Sequence, residues 1–390
     1  MRKWTAYILV LTLLLCGCAA HTDQPATTQA PELPSQTMST EAAPTETVSR
    51  GVETEPAKKS LLDEMTVEEK VGQLFLARCP QSGALEDIAA YHLGGFVLFG
   101  RDFEFELKDT VSEKIAQYQD ASRIPMLIAV DEEGGTVTRV SRYPQFRMGK
   151  FASPRELFDQ GGLELILQNE EEKCELLKSL GVNVNLAPVC DVTTDPDAFM
   201  YSRSLGQSPE ITGQFVAAVT EVMVTQQVGG VMKHFPGYGN NADTHTGIAV
   251  DDRLLEELEA VDLVPFAAGI QAGCDGILVS HTIVNCLDPE FPASLSPTVH
   301  DYLRSQMGFE GVIVTDDLVM QAITDRYGAG EAAVLAVLAG NDLLCSTDYQ
   351  IQYAAVLEAV RSGRIPEQLL NEAVTRVLKW KQELGLIPEE

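Results

Sequence analysis

Short apolar runs bounded by Gly or Pro recur along the chain from residue 61 onward, at 74–77, 95–99, 125–130, 182–189, 229–232, 276–280, 311–315 and 342–346. A run that is apolar at every position reads as a strand buried on both faces, and such strands belong to parallel sheets covered by helices. The segments between most of the runs supply those helices. Stretches 208–227, 254–272 and 296–306 place apolar residues at helical spacing, and Ser296-Pro297 gives the last of them an N-cap followed by proline at the first helical position. Thr66-Val67-Glu68-Glu69 reads as a capping box opening another helix. Eight strands within about 330 residues fit an α/β fold of the (β/α)8 barrel type, with insertions, better than two dinucleotide-binding halves. No GxGxxG or GxxxxGK[ST] follows any run, so the dinucleotide and P-loop alternatives lose their main support. Segment 365–386, with Leu369, Leu370, Ala373, Val374, Val377, Leu378 and Trp380, is expected to be an amphipathic helix that closes a single domain spanning 60–390.

The residues ahead of that domain follow another logic. Arg2 and Lys3 precede an apolar run at 6–15 that is too short to span a bilayer as a mature helix and fits the core of a secretion signal. Leu15-Cys16-Gly17-Cys18 then reads as a bacterial lipobox, with Cys18 the residue to be acylated and 1–18 the signal. More than one acyl chain on that residue would anchor the protein stably. Residues 19–59 shift to Thr, Pro, Ala, Ser, Gln and Glu, with almost no large apolar side chain, and are expected to form a disordered tether. A random coil of that length spans on the order of 35 Å. The expected location is therefore extracytoplasmic, lipid-anchored at the cell membrane.

With 28 Lys plus Arg against 57 Asp plus Glu, the formal net charge is −29, and no basic cluster is present to meet a phosphate backbone, which argues against nucleic acid as a partner. Cys79, Cys174, Cys190, Cys274, Cys286 and Cys345 are scattered through apolar stretches without CxxC or Cys/His metal spacing and read as small buried hydrophobes.

Catalytic groups of a parallel barrel gather at the C-terminal ends of its strands. Five such ends are polar: Asp131-Glu132-Glu133-Gly134-Gly135, Cys190-Asp191, Lys233-His234, Ser280-His281 and Thr315-Asp316-Asp317. A single carboxylate after a strand is more often a helix cap. Five on one face, with Lys and His directly after an apolar run where charge is costly to desolvate, point to a site.

Lys233-His234-Phe235-Pro236-Gly237-Tyr238-Gly239, followed by Asp243-Thr244-His245, resembles the KHFPGHG…D[ST]H signature of the family 3 glycoside hydrolases that act as β-N-acetylglucosaminidases. Asp131 through Gly135 with Arg139, Asn185 through Val189 with Asp191, Arg203-Ser204, and Gly311 through Leu318 with Met320 match the same family in order, so the resemblance covers 61–386. It implies a retaining exo-glycosidase that removes terminal β-linked N-acetylhexosamine from glycans or cell-wall fragments through a covalent glycosyl-aspartate, with no cofactor. By the motif Asp316 is the nucleophile. His245 is the acid/base, paired with Asp243, an arrangement in which an imidazole near neutrality gives and then takes a proton while the carboxylate fixes its tautomer. Asp131, Arg139, Arg203, Lys233 and His234 match sugar-contacting positions. Asp317 reads as a cap of the next helix or a support of its neighbour, and Asp191 and His281 as structural. Asp243, His245 and Asp251 hint at a metal, but no further ligand stands at a suitable spacing, and none is expected.

The sequence departs from the pattern at three points. Tyr238 stands where the motif usually has a second His, the loop 233–245 is one residue shorter than the common form, and Thr136 replaces a basic residue after Gly-Gly. Three alternatives stay open: a β-glucosidase or β-xylosidase, a phosphorylase of the same fold, and a catalytically inactive sugar-binding lipoprotein.

Overall fold

The computed structural model describes residues 60–388 apart from 240, 242, 243, 245 and 246. The signal, Cys18 and the tether lie outside the described residues, as do Asp243 and His245. Ten strands follow in chain order: β1 (Phe75–Arg78), β2 (Gly95–Leu98), β3 (Leu127–Val130), β4 (Val184–Asn185), β5 (Gly229–Phe235), β6 (Val250–Asp251), β7 (Gly276–Val279), β8 (Ile283–Val284), β9 (Val312–Thr315) and β10 (Leu344–Ser346). Eight of them form one parallel sheet in the order β10-β1-β2-β3-β4-β5-β7-β9. A parallel bridge between Val314 and Leu343 joins β9 to β10 and closes the sheet. Helices connect successive strands, so the expected (β/α)8 barrel is the fold, and each of the eight apolar runs overlaps one barrel strand.

Period-two alternation divides every strand between two apolar layers. Leu76, Val97, Leu127, Ala129, Val184, Val231, Leu278, Val312, Val314, Leu343 and Cys345 share one cluster inside the barrel. Their neighbours Phe75, Phe96, Ile128 and Leu344 face the helices in a second layer, and Met232, Ile277 and Ile313 do so in a third. Val377 and Trp380 of the closing helix Glu367–Glu383 join the interior cluster. Trp380 lies against the first residue of β5, where a Cβ on Gly229 would come 2.7 Å from its ring, so the helix plugs the N-terminal mouth of the barrel. The opposite mouth is left for the site.

Several elements differ from expectation. The strand expected at 229–232 continues to Phe235, so Lys233 and His234 lie on β5 rather than after it. The helix expected at 254–272 is two, Leu255–Ala260 and Leu263–Gln271, interrupted at Val261, whose φ and ψ of −125° and −72° are not helical. β6 and β8 form a separate parallel pair, Val250 opposite Ile283, that the hydrophobic pattern did not announce. The expected caps hold: Thr66 and Glu69 complete a capping box, and the Ser296 hydroxyl accepts from the Val299 amide. Among the described residues no helix is long and apolar enough to cross a membrane. Five of the six described cysteines are buried, all six are unpaired, and burial pushes each of their thiols up.

Candidate active site

Alternation that fills the barrel also aims the residues at its open end. Two positions beyond an inward-facing apolar residue the chain again points inward, which takes Leu76 to Arg78, Val97 to Phe99, Ala129 to Asp131, Val231 to Lys233 and Val314 to Asp316. All five line one cavity of about 570 Å3, together with Glu133, Arg139, Arg203, His234, Tyr238 and Asp317.

One wall of the cavity is a chain of alternating charges. Lys233 Nζ lies 2.7 Å from Asp131 Oδ1 and 2.6 Å from Glu133 Oε1. Arg203 forks onto Glu133 through Nε at 2.9 Å and Nη2 at 2.6 Å, and Arg139 reaches Asp131 Oδ2 at 3.3 Å. Burial alone would push both carboxyls up. The Lys233 charge, aided by Arg139 at Asp131 and by Arg203 at Glu133, outweighs it and holds both below the ordinary carboxylate range. Burial likewise pulls the Lys233 and Arg203 pKa values down, and their carboxylate partners reverse it and hold both groups above their usual values. The whole set is charged and fixed. Glu132, between the two cavity carboxylates, turns the other way and accepts from the amides of Arg139 and Val140 at 2.7 Å each, folding the loop that carries Arg139. Gly134 permits the turn: its φ is +102°, and a Cβ there would sit 2.2 Å from the Ala152 carbonyl.

His234 is held edge-on. Its Nδ1 lies 2.8 Å from Asp191 Oδ2, its Nε2 lies 3.2 Å from Arg203 Nη2, and Asp191 Oδ1 accepts the Tyr238 amide at 2.8 Å. Asp191 is thus structural, as expected, organising the start of the loop after β5. The peptide between Lys233 and His234 is cis, as are Ala187-Pro188 and Phe235-Pro236.

Asp316 follows β9, where its amide donates to the Val279 carbonyl at 3.1 Å. One carboxylate oxygen accepts the Asp317 amide at 2.9 Å, and among the described residues no cation pairs with it. Asp317 is otherwise engaged: Oδ1 accepts the amides of Val319 and Thr347, and Oδ2 accepts the Thr347 hydroxyl at 2.6 Å. Burial pushes the Asp317 carboxyl up, against those donors. Of the two roles expected for it, support of Asp316 matches; it caps no helix, since Met320 precedes the helix Gln321–Thr324. His281 is fully buried and lies outside the cavity, with Nδ1 2.6 Å from the Ser294 hydroxyl and Nε2 donating to the Asp317 carbonyl at 3.0 Å.

The cavity therefore brings together Asp131, Arg139, Arg203, Lys233, His234 and Asp316 from the expected set. Arg203, expected at a sugar-contacting position, has its guanidinium fork taken by Glu133. Glu133, Arg78 and Phe99 were missed as site residues. Parity could have found Glu133, two positions beyond Asp131, and Arg78, one residue past the apolar run at 74–77. Arg78 stacks 4.4 Å from the Phe99 ring centroid, and its buried Nε has no hydrogen-bond partner among the described residues.

Residues 66–380 match the family described as "Glycosyl hydrolase family 3 N terminal domain". Over 327 residues the chain is 32% identical to the beta-hexosaminidase LpqI of Mycobacterium tuberculosis, covering 80% of this chain and 82% of that one. It is 37% identical over 263 residues to a beta-hexosaminidase of Stenotrophomonas maltophilia, covering 65% of this chain and 75% of the other. Among solved structures, a family 3 beta-N-acetylglucosaminidase of a Paenibacillus species superposes with a TM-score of 0.77 at 31% identity, over 84% of this chain and 64% of that longer one. The structure of M. tuberculosis LpqI superposes with a TM-score of 0.74 at 28% identity, over 81% of this chain and 94% of its own. Family match, fold and site agree: the chain belongs to glycosyl hydrolase family 3, and its barrel is that family's N-terminal domain.

Proposed function

We propose that this glycoside hydrolase removes terminal β-linked N-acetylhexosamine from the non-reducing end of a glycan or cell-wall fragment, with net retention. The observation that carries the reading is Asp316, an inward-facing carboxylate at a strand end with no cationic partner among the described residues, opposite a wall of fixed charges. An Asp316 oxygen attacks the anomeric carbon as the glycosidic C–O bond breaks, and the departing oxygen takes a proton from His245. His245 then takes a proton from water, whose oxygen attacks the anomeric carbon and releases Asp316. Asp243 keeps the His245 tautomer, the role the family motif gives it. Asp131 and Lys233 hold vicinal hydroxyls with charge-assisted hydrogen bonds, and Arg139, His234 and Arg203 complete the sugar wall. The names of the relatives favour an acetamido sugar over glucose.

The lipobox motif supports a location outside the cytoplasm on an acyl anchor at Cys18, with 19–59 as spacer. A net charge of −29 gives no attraction to a polyanionic wall, which favours soluble fragments as substrate.

Nitrophenyl β-N-acetylglucosaminide and the matching β-glucoside, each with and without phosphate, test the activity against an Asp316→Ala control. Expected is turnover of the acetamido sugar alone, abolished in the control and indifferent to phosphate. Preference for the glucoside would move the substrate assignment, and phosphate-dependent turnover would make the enzyme a phosphorylase. Silence on every sugar with binding retained would remove the activity.

A further inference from the structure

The loop between β5 and β6 carries, in the proposed mechanism, the acid/base pair Asp243 and His245. The residue between them is anchored twice. Thr244 is fully buried, and its hydroxyl oxygen lies 2.5 Å from the Tyr238 hydroxyl. Its carbonyl accepts the Ala322 amide at 3.3 Å, from the short helix Gln321–Thr324 that follows Asp316. Tyr238 is itself immobilised. It is 1% exposed, its amide donates to Asp191, and its ring stands at 88° to the His234 ring with centroids 5.2 Å apart, beside Phe199 at 5.5 Å.

A line of contacts thus runs from β5 through Tyr238 to Thr244 and on to the segment that follows the proposed nucleophile. Thr244 is joined by a single peptide bond to each of the two proposed acid/base residues. A contact that holds Thr244 thereby restrains, through the covalent chain, the loop that carries both proposed acid/base residues. Proton transfer needs heavy atoms within about 3 Å, so a loop free to drift by an ångström would lose much of it. Tyr238 stands where the family motif usually has His, and the hydrogen-bond partner of the loop is here a phenol.

We propose that the Tyr238 hydroxyl is a positioning group for the acid/base loop: it pins Thr244 and thereby sets His245 for proton transfer. The proposal rests on the reading of His245 as acid/base. Misplacing the proton donor should harm substrates whose leaving group needs a proton and spare those whose leaving group departs unaided. With an alkyl β-N-acetylglucosaminide, Tyr238→Phe should lower kcat/KM by about tenfold or more, while with the dinitrophenyl glycoside the loss should stay within about threefold. The inhibition constant of free N-acetylglucosamine should not change. Thr244→Val should reproduce this selectivity, the double variant should be no worse than either single one, and Thr244→Ser, which keeps the hydroxyl, should behave as the parent. Melting curves check that each variant folds.

Equal losses on both substrates, additive losses in the double variant, or a Thr244→Ser enzyme as impaired as Thr244→Val would overturn the pin. His245→Ala in the same assay separates the two layers. If it shows strong leaving-group selectivity and Tyr238→Phe shows none, the pin falls and the acid/base assignment stands. If His245→Ala shows none, the assignment falls and takes the pin with it.

Discussion

Glu133 holds two cations at once, with Arg203 in its fork and Lys233 at 2.6 Å, and its side chain is 2% exposed. Replacing it with Gln keeps the shape and removes the charge, leaving Arg203 and Lys233 short of compensation inside the protein. Breaking a buried pair from one side costs about 3–5 kcal/mol. Glu133→Gln should therefore lower the urea midpoint at neutral pH and raise KM, because Lys233 and Arg203 lose the partner that orients them. The sign of the pH dependence follows from the depressed Glu133 pKa. Burial raises it, but Lys233 and Arg203 lower it more, so the native state holds the proton less tightly than the unfolded chain. The stabilisation is complete above the unfolded carboxylate pKa of about 4.3 and fades as pH falls below it. The gap between parent and variant should narrow on acidification; a gap constant from neutral pH to pH 3 would mean the loss is one of packing alone.

The closing helix Glu367–Glu383 shows what an element can hide. Trp380 plugs the barrel, and the next residue, Lys381, is fully buried with Nζ donating to Gln73 Oε1 at 2.6 Å and to no carboxylate among the described residues. Burial pulls its pKa down to about 7. Between that value and the unfolded pKa of about 10.4 the unfolded chain carries the extra proton, so this group makes stability rise with pH by about 1.4 kcal/mol per unit. Comparing the parent with Lys381→Met from pH 7 to 9.5 should show the parent gaining on the variant, and parallel curves would rule the buried amine out as the cause. The eight barrel strands were legible because each overlaps a short apolar run, and the helix ends at Thr66 and Ser296 because a cap is local chemistry. The limits were equally physical. β5 looked three residues shorter than it is, because Lys233 and His234 read as polar loop residues until partners 102 and 43 residues distant neutralise and bind them. β6 and β8 have two residues each, too few for any period. The break at Val261 lies beside Asp262, which is drawn 2.6 Å from Arg253, a pairing that helical spacing does not encode. In the site, strand-end position disclosed Asp131, Lys233 and Asp316, while the Glu133–Arg203 fork spans 70 residues and appears only in three dimensions.

At the scale of the molecule the charge is unevenly placed. The first 59 residues carry five basic and six acidic side chains, so almost the whole excess of acid belongs to the barrel domain. The cavity does not share it: Arg78, Arg139, Arg203 and Lys233 stand against Asp131, Glu133, Asp316 and Asp317. A neutral sugar thus enters a balanced site within an anionic body, and a membrane surface of anionic lipid would repel that body rather than hold it. On the proposed lipobox reading, attachment comes from the N-terminal segment. The full-length protein should take up labelled fatty acid and sediment with membranes, and Cys18→Ala should do neither; label on the Cys18→Ala protein would disprove the lipobox reading. Five of the six described thiols are buried as well as unpaired. A protonated thiol out of reach of solvent is a poor nucleophile, so it neither attacks an oxidant nor exchanges with a disulfide. The five buried thiols are therefore held out of thiol–disulfide chemistry, and Cys286, half-buried, is the one described thiol through which the barrel can feel a change of redox potential.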